Sequence, residues 1–343
     1  MKMDRKRVWM VLAGVAVVLA AAGGMAYSFF FARNLPLAQA AYLYVDRDDT
    51  ADSVFCKLQE AVAPRSICGF RWLAGCKDYA RHVFTGCYPV CPDDNMLDLY
   101  LRLSRNHQVP VDVSFHNIRT KGQLAARLGA QLMIDSAEIA GLLHDSAYCR
   151  RMGFTLETIP CMFIPNTYEL YWNVSADALF KRMKREYDAF WTPSRKAKAQ
   201  AAGLSPEEVI ILASIVEEET NASTEKPVVA GLYINRLRRG MPLQADPTVK
   251  FAWQDFGLKR IYNRHLQIDS PYNTYKHAGL PPGPIRLPSV TGIDSVLDYA
   301  RHSYLYMCAK EDFSGLHRFS STLAGHQANA RRYWQALNKR KIF

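Results

Sequence analysis

Three consecutive glutamates at the end of an apolar run are the residues whose types and spacing point most directly to chemistry. Residues 209–216 are apolar except for Ser214, and Glu217, Glu218 and Glu219 follow them. The C-terminal end of a helix carries partial negative charge and normally favours Lys or Arg. That negative end and an apolar setting both favour a protonated carboxyl, which a general acid requires. Charges there can also simply mark the emergence of a buried helix into water, and this helix alone leaves both interpretations open.

The residues around these glutamates predict the two helices that must position them. Ser205 is a predicted N-cap and Glu208 closes a capping box with it, so a helix begins there. Its apolar residues lie on nearly every face, which predicts a buried helix. A second helix is predicted to follow, with Ser223 or Thr224 as its cap and Gly240 as its C-terminal stop.

Four blocks of sequence in this region resemble one family of proteins. They read ASIVEEE at 213–219, INRLRRGMPLQADPTV at 234–249, SPYNTY at 270–275 and GLPPGPI at 279–285. In this order and spacing they resemble the catalytic domain of the membrane-anchored endolytic peptidoglycan transglycosylases, the MltG or YceG-like family. The similarity is strong in the C-terminal half of the chain and loose in the N-terminal half.

This resemblance implies an endolytic lytic transglycosylase, a lyase that cleaves the MurNAc–GlcNAc glycosidic bond of nascent peptidoglycan strands. Most glycosidases use two carboxylates, whereas this class needs one. A single carboxyl protonates the leaving oxygen and then acts as base toward the C6 hydroxyl of the sugar, which gives a 1,6-anhydro-MurNAc end. The resemblance also implies association with cell-wall synthases and a role in terminating glycan polymerisation.

The resemblance also implies which residues form the site. The first glutamate of ASIVEEE, Glu217, is the implied catalytic acid and base, Glu219 is a supporting or an exposed group, and Glu218 is expected to face solvent. The implied substrate-binding residues are Asn235, Arg236, Gln244, Asp246, Tyr272, Asn273 and Tyr275. Amides suit acetamido sugars because they both donate and accept hydrogen bonds. The plainer alternatives are a turn at Asp246 and a core position for one of the two tyrosines.

Two other classes of function remain open on the sequence. One is a peptidoglycan glycoside hydrolase in which Asp246 or Glu219 activates water. The other is a non-catalytic cell-wall-binding scaffold, against which the presence of Glu217 argues. No cofactor is implied, and a zinc site is disfavoured because the chain has no Cys-x-x-Cys pair and its 9 histidines are scattered. His317 and His326 are interpreted as structural residues.

Eight cysteines follow the N-terminal apolar segment, and seven of them fall between Cys56 and Cys161. An extracytoplasmic compartment permits disulfides, and the even count is compatible with them. Buried thiols or structural disulfides are expected, with no connectivity that the spacing can settle.

The N-terminus predicts a retained membrane anchor. Residues 8–31 carry no charge, and Lys2, Arg5, Lys6 and Arg7 precede them. About 20 apolar residues cross a bilayer, and the apolar part of a cleaved signal is shorter, at roughly 7–15 residues. Because a basic flank stays inside, we expect a single-pass protein of the cytoplasmic (inner) membrane, with a cytoplasmic N-terminus and an extracytoplasmic body.

The net charge of +11 favours an anionic partner such as a membrane surface or a cell-wall polymer. No nucleic-acid motif accompanies that charge, so a nucleic-acid partner is not expected. With the resemblance added, the expected partners are peptidoglycan strands, the inner membrane and cell-wall synthases.

The predicted fold class is α+β, with an N-terminal transmembrane helix, a small membrane-proximal module and a larger catalytic domain. The predicted boundaries are a cytoplasmic segment at 1–7, the transmembrane helix at 8–31, a LysM-like module at 38–115 and the YceG-like catalytic domain at 116–343.

The order of elements predicted for the LysM-like module is β-α-α-β. It has strands at 41–45 and 86–90, a helix capped by Thr50, and a second helix at 72–84.

Overall fold

The computed structural model describes residues 5–32, 35, 37–62, 67–258 and 260–340. The first four positions of the predicted cytoplasmic segment therefore lie outside the described residues. Contacts divide the chain into two units. The first comprises Met1–Val113 with Tyr168–Val174, and the second comprises Ser114–Thr167 with Ser175–Phe343. Helices and short strands are mixed along the chain, which confirms the predicted α+β class.

The described chain begins with a long apolar helix, α1 (Arg5–Phe30). Among the described residues it is the one helix that is long and apolar enough by itself to cross a membrane. Its 26 residues span about 39 Å at 1.5 Å per residue, more than the roughly 30 Å of a bilayer's hydrocarbon core. The prediction of an apolar N-terminal helix is confirmed, whereas its orientation across a membrane stays a prediction.

The rest of the first unit is built from short helices and strands. They are β1 (Ala41–Val45), α2 (Ala51–Ala61), α3 (Cys68–Cys76), β2 (Gly86–Val90), α4 (Met96–Ser104), β3 (Pro110–Ser114) and β4 (Thr167–Tyr171). β1 pairs antiparallel with β2, and β3 pairs with β4. The two predicted strands and the Thr50 cap are confirmed.

The second helix of this unit differs from the prediction. It begins at Cys68 and ends at Cys76, whereas the sequence predicted residues 72–84. Asp78 adopts a left-handed conformation with φ of 53° and is followed by a 3-10 turn at Tyr79–Arg81. A left-handed residue interrupts a right-handed helix, so the α-helix cannot continue past this point.

The second unit is mainly helical, with one hairpin near its end. Its elements are α5 (Lys121–Gly129), α6 (Ser136–His144), α7 (Ser146–Arg151), α8 (Ala176–Phe190), α9 (Pro193–Ala202), α10 (Pro206–Glu219), α11 (Lys226–Arg238), α12 (Asp246–Trp253), α13 (Val290–Leu297), β5 (Tyr306–Ala309), β6 (His317–Ser320) and α14 (Leu323–Lys339). β5 and β6 form an antiparallel pair.

Helix α10 is the core of this unit, and the sequence predicted it well. Ser205 and Glu208 form the predicted capping box, and residues 209–216 are all buried. Its buried Ser214 hydroxyl donates to the Ile211 carbonyl at 2.7 Å and accepts from the Ile285 amide at 3.0 Å. The GLPPGPI block is thereby attached directly to the middle of α10.

Helix α11 begins later than predicted. Its first residue is Lys226, and no side chain caps it, so the predicted caps at Ser223 and Thr224 are wrong. Glu225, at the N-cap position, instead accepts from the His317 amide at 2.6 Å. The predicted stop is confirmed, because Gly240 adopts a positive φ of 64° just beyond the helix.

Candidate functional site

The three glutamates at the end of α10 face three different sets of partners. Successive residues of an α-helix point about 100° apart, so Glu217, Glu218 and Glu219 cannot share one environment. All three side chains are partly buried. Their partners show what each carboxylate can do.

Glu217 joins α10 to the beginnings of α11 and α13. The Lys226 ammonium donates to its Oε2 at 2.9 Å, and the Ser289 hydroxyl lies 3.1 and 3.0 Å from its two oxygens. The side chains of Glu217 and Lys226 are only 13% and 10% exposed. Ser289 is the N-cap of α13, and a Cβ at Gly292 would overlap the carboxylate. The positive end of a helix stabilises a nearby carboxylate, so this arrangement holds three helices together.

Glu218 is held by two arginines. Arg119 donates to both carboxylate oxygens at 2.9 and 3.1 Å, and Arg286 adds a bond at 2.9 Å. The Glu218 side chain is 17% exposed. The expectation that Glu218 faces solvent is therefore wrong, because partners 99 and 68 residues away fold onto it.

Glu219 faces an open cleft of about 390 Å³. The Tyr233 hydroxyl donates to its Oε1 at 2.7 Å. Burial raises the pKa of Glu219 to about 7, with the charge of Asp246 acting in the same direction and the Tyr233 hydrogen bond and His317 acting against it. A carboxyl with this pKa is partly protonated at neutral pH, so it can donate a proton and later accept one.

The cleft brings several sequence-predicted residues together with Glu219. Its polar lining includes Arg236, Gln244, Asp246, Tyr275, His317 and His326. The first four of these are among the residues that the sequence implied for substrate binding. Aromatic rings, an amide and charged groups around a protonatable carboxyl form a surface on which a polar polymer can lie.

Two contacts order the predicted residues of the cleft. The Tyr275 hydroxyl donates to Asp246 Oδ1 at 2.5 Å, and burial together with this bond raises the pKa of Tyr275 far above its ordinary value. Arg236 is buried and donates to the Leu243 carbonyl at 2.6 Å and to Gln244 Oε1 at 3.1 Å. Asp246 begins α12, where the alternative interpretation had placed a turn.

The structure does not bring the other predicted residues to this cleft. The Asn235 amide donates to the carbonyls of His302 and Tyr304 at 2.7 and 3.1 Å. The fully buried Asn273 amide donates to two backbone carbonyls at 2.9 Å each. Tyr272 lines a second cavity, and Glu217 belongs to the helix junction. Both asparagine side chains are therefore already committed to backbone groups.

The sequence analysis interpreted His317 and His326 as structural residues, whereas both line the cleft. Glu225 fixes His317 by accepting from its backbone amide and by lying 3.0 Å from its Nδ1. The pair is separated by 92 residues, so no local pattern could predict it. The ring of His326 stacks on Tyr306, and burial lowers the pKa of His326, with Arg236 acting in the same direction.

Within the described residues, no group of three His, Cys, Asp or Glu side chains could hold a metal ion.

All eight cysteines are thiols in this structure, with Cys87, Cys149 and Cys161 buried. The buried thiols match one of the two expectations that the sequence left open.

The fold and then the family follow from comparison with known proteins. A crystal structure of a YceG-like protein from Listeria monocytogenes superposes with a TM-score of 0.57, covering 85% of this chain and 99% of that one at 22% identity. At this identity the likeness shows a shared fold. Residues 43–332 match the model of the YceG-like family, and the chain therefore belongs to that family.

Two curated relatives carry the name endolytic murein transglycosylase. The Bacillus subtilis protein is 32% identical over 236 residues, which are 68% of this chain and 64% of the relative. A Streptococcus pneumoniae protein is 32% identical over 149 residues, 42% of this chain and 27% of the relative. The chain thus matches less than two thirds of the length of either relative.

Proposed function

We propose that this chain is a lytic murein transglycosylase that cuts glycan strands internally, and that Glu219 is its acid and base. The observation that carries the proposal is a carboxyl with a pKa of about 7 facing an open cleft. The name of the Bacillus and Streptococcus relatives, endolytic murein transglycosylase, supports the substrate class. An open cleft also suits cuts inside a strand, because it gives no means of counting from a free end.

The reaction needs one carboxyl that works twice. Glu219 gives its proton to the glycosidic oxygen, the bond from that oxygen to C1 of MurNAc breaks, and the GlcNAc end leaves as an alcohol. The Glu219 carboxylate then takes the proton of the C6 hydroxyl as O6 bonds to C1, which closes the 1,6-anhydro ring. The Tyr233 hydrogen bond at 2.7 Å stabilises the carboxylate between these steps. No water is consumed.

The other residues of the cleft and of the junction take supporting roles in this proposal. Arg236, Gln244, Asp246 and Tyr275 bind the sugars. Glu217, the acid implied by the resemblance, becomes a positioning residue that holds α10 against α11 and α13. Both of its oxygens already accept hydrogen bonds from Lys226 or Ser289, and Glu217 does not line the cleft.

A hydrolase is the second candidate, and one observation favours it. Asp246 lines the same cleft as Glu219, so two carboxylates are available as in ordinary glycosidases. In that case Asp246 activates water and the new end is a reducing sugar. The hydrogen bond from Tyr275 orients Asp246 in either reaction.

The products distinguish the two reactions. Purified strands are digested in heavy-oxygen water and the new ends are read by mass spectrometry. A transglycosylase gives ends lighter by one water and without the heavy isotope, whereas a hydrolase incorporates it. Labelled reducing ends would overturn the transglycosylase assignment and make Asp246→Asn the decisive variant.

Two matched variants test which glutamate is the acid. Glu219→Gln is expected to abolish cleavage, because it removes the proton donor. It is expected not to lower the free energy of unfolding, because burial disfavours the ionised form of the carboxyl that it replaces. Glu217→Gln is expected to lower the free energy of unfolding by about 1–3 kcal/mol and to keep activity in the folded fraction. The reverse pattern, with Glu217→Gln inactive at full stability, would restore Glu217 as the acid.

We further propose that α1 anchors the chain in the cytoplasmic membrane. We also propose that the segment from β1 to β2 is a LysM-like glycan-binding module. The first idea is supported by the length and apolarity of α1. The second is supported by the β-α-α-β order between Ala41 and Val90. An anchored enzyme would meet nascent strands near the synthases, where cleavage would terminate their growth.

A further inference from the structure

A second cavity, of about 380 Å³, lies in the same unit as the Glu219 cleft. Helix α12 contributes to both, since Asp246 at its start lines the cleft and Phe251 lines the second cavity. Five residues of an α-helix rise about 7.5 Å. Because five residues also turn by about 140° around the helix axis, the two spaces lie on different sides of one short helix.

The walls of the second cavity are largely apolar. Leu124, Leu156 and Leu287 contribute aliphatic surface. The rings of Phe251 and Tyr272 pack with their centroids 4.7 Å apart and form an aromatic wall. Such a lining accommodates methyl groups and a backbone.

The polar lining of this cavity carries an excess of positive charge. The Lys121 ammonium donates one hydrogen bond, to the Leu143 carbonyl at 3.0 Å. Among the described residues no carboxylate forms an ion pair with it, so two of its three donors remain available. Arg119 and Arg286 also line the cavity and share the single carboxylate of Glu218. Glu157 is the one acidic residue of the described lining.

Partial burial also favours an ion pair with Lys121. Burial lowers the pKa of Lys121, because the charged ammonium is less well solvated in this cavity than in bulk water. The charge of Glu157 partly opposes this effect, and a carboxylate that reaches the half-buried ammonium offsets the remaining desolvation cost. Gly122 beside it has open space at its Cβ position, with Thr120 Oγ1 the nearest atom at 3.9 Å.

We propose that this cavity binds the acidic peptide stem of the murein strand, with Lys121 pairing with a stem carboxylate. The inference rests on the proposed function, since it supposes a murein strand in the Glu219 cleft. The stem leaves muramic acid next to the bond that is cut, and two extended residues span about 7 Å. That reach is comparable with the axial separation of Asp246 and Phe251 along α12, and the apolar walls receive the alanine methyl group.

A binding experiment tests this without any cleavage. The full-length Glu219→Gln protein in detergent is titrated by calorimetry with three probes. They are N-acetylmuramic acid, N-acetylmuramyl-L-alanyl-D-glutamate, and the same dipeptide with its glutamate amidated to isoglutamine. We expect the acid dipeptide to bind most tightly, because it alone brings the free α-carboxylate of its glutamate.

Three variants on this background locate the contact. Lys121→Met should weaken the acid dipeptide about tenfold and leave the amidated form nearly unchanged. Glu157→Gln should tighten the acid form about threefold, since it removes a nearby negative charge. Lys196→Met, which changes an exposed lysine of α9, is the matched control and should alter neither.

Each outcome of these titrations either supports or overturns the inference that the cavity binds the peptide stem. Equal binding of the acid and amidated forms, no detectable binding of either dipeptide, or an effect of Lys196→Met as large as that of Lys121→Met would overturn the inference. If Lys121→Met folds poorly, Glu157→Gln still tests the inference, because this change at an exposed residue should tighten binding of the acid dipeptide. A protein that binds as expected but does not cut strands refutes the proposed function alone, whereas one that cuts without this discrimination refutes the stem site alone.

Discussion

At the residue scale, the proton of Glu219 is governed by its neighbours. Burial raises the pKa of Glu219 to about 7 and Asp246 assists, while Tyr233, His317 and Lys250 favour the charged form. A fully buried carboxyl without such partners can have a pKa of about 8–9, too high for a base that must act near neutrality. The opposing groups therefore keep the carboxyl in the range where both proton transfers are possible.

The raised pKa of Glu219 also makes stability depend on pH. A carboxyl whose pKa is raised in the folded state stabilises the fold below its unfolded pKa of about 4.3. This contribution is lost as the pH rises through the folded pKa of about 7. The wild type should therefore lose up to about 3 kcal/mol relative to Glu219→Gln between pH 4.5 and 8.

Urea unfolding of the two proteins across that pH range measures this difference. Glu138→Gln, which changes an exposed glutamate of α6, is the control, and its difference from the wild type should stay constant. A Glu219→Gln difference that is equally constant would show that folding does not raise the pKa of Glu219.

At the element scale, local features were predictable and long-range ones were not. The capping box of Ser205 and Glu208 lies within four residues, and the structure contains it as predicted. The orientation of Glu217 and Glu218 depends on Ser289, Arg119 and Arg286, which are 68 to 99 residues away. Long-range contacts also meet at the start of α11, where Glu225 takes the N-cap position and accepts from the distant His317.

The close approach of the 300–302 segment to α11 gives an element-scale prediction. Ala300 donates to the Pro227 carbonyl at 2.9 Å, and His302 bonds to the Val228 carbonyl at 2.9 Å. A Cβ at Gly231 would overlap the Ala300 carbonyl oxygen and the His302 ring. Gly231→Ala should therefore lower the free energy of unfolding by about 1–3 kcal/mol, as overpacking does.

A helical glycine with free space is the control for this variant. Gly141 in α6 has no atom within 4 Å of its Cβ position. Gly141→Ala should leave stability unchanged or raise it by about 0.5–1 kcal/mol, because Gly is costly inside a helix. Chemical denaturation compares the two, and equal effects would show that the segment does not pack tightly on α11.

At the scale of the whole molecule, the proposed anchor is the feature that bears on location. A helix of 26 residues with Lys6 and Arg7 at its start is long and apolar enough to cross a membrane. If α1 is the anchor proposed above, its basic flank predicts that the N-terminus stays inside and that the rest of the chain lies on the other side. A net charge of +11 also favours anionic lipid and polymer surfaces on that side.

The exposed thiols of the first unit make this topology measurable. Cys56, Cys68 and Cys76 are exposed, whereas Cys149 and Cys161 are buried. In intact spheroplasts treated with an impermeant reductant, a membrane-impermeant maleimide should label the exposed thiols without lysis. The buried pair should react only after unfolding, which serves as the internal control. Labelling that requires lysis would place the body in the cytoplasm, and release of the labelled protein into the medium would show that α1 is cleaved and not retained as an anchor.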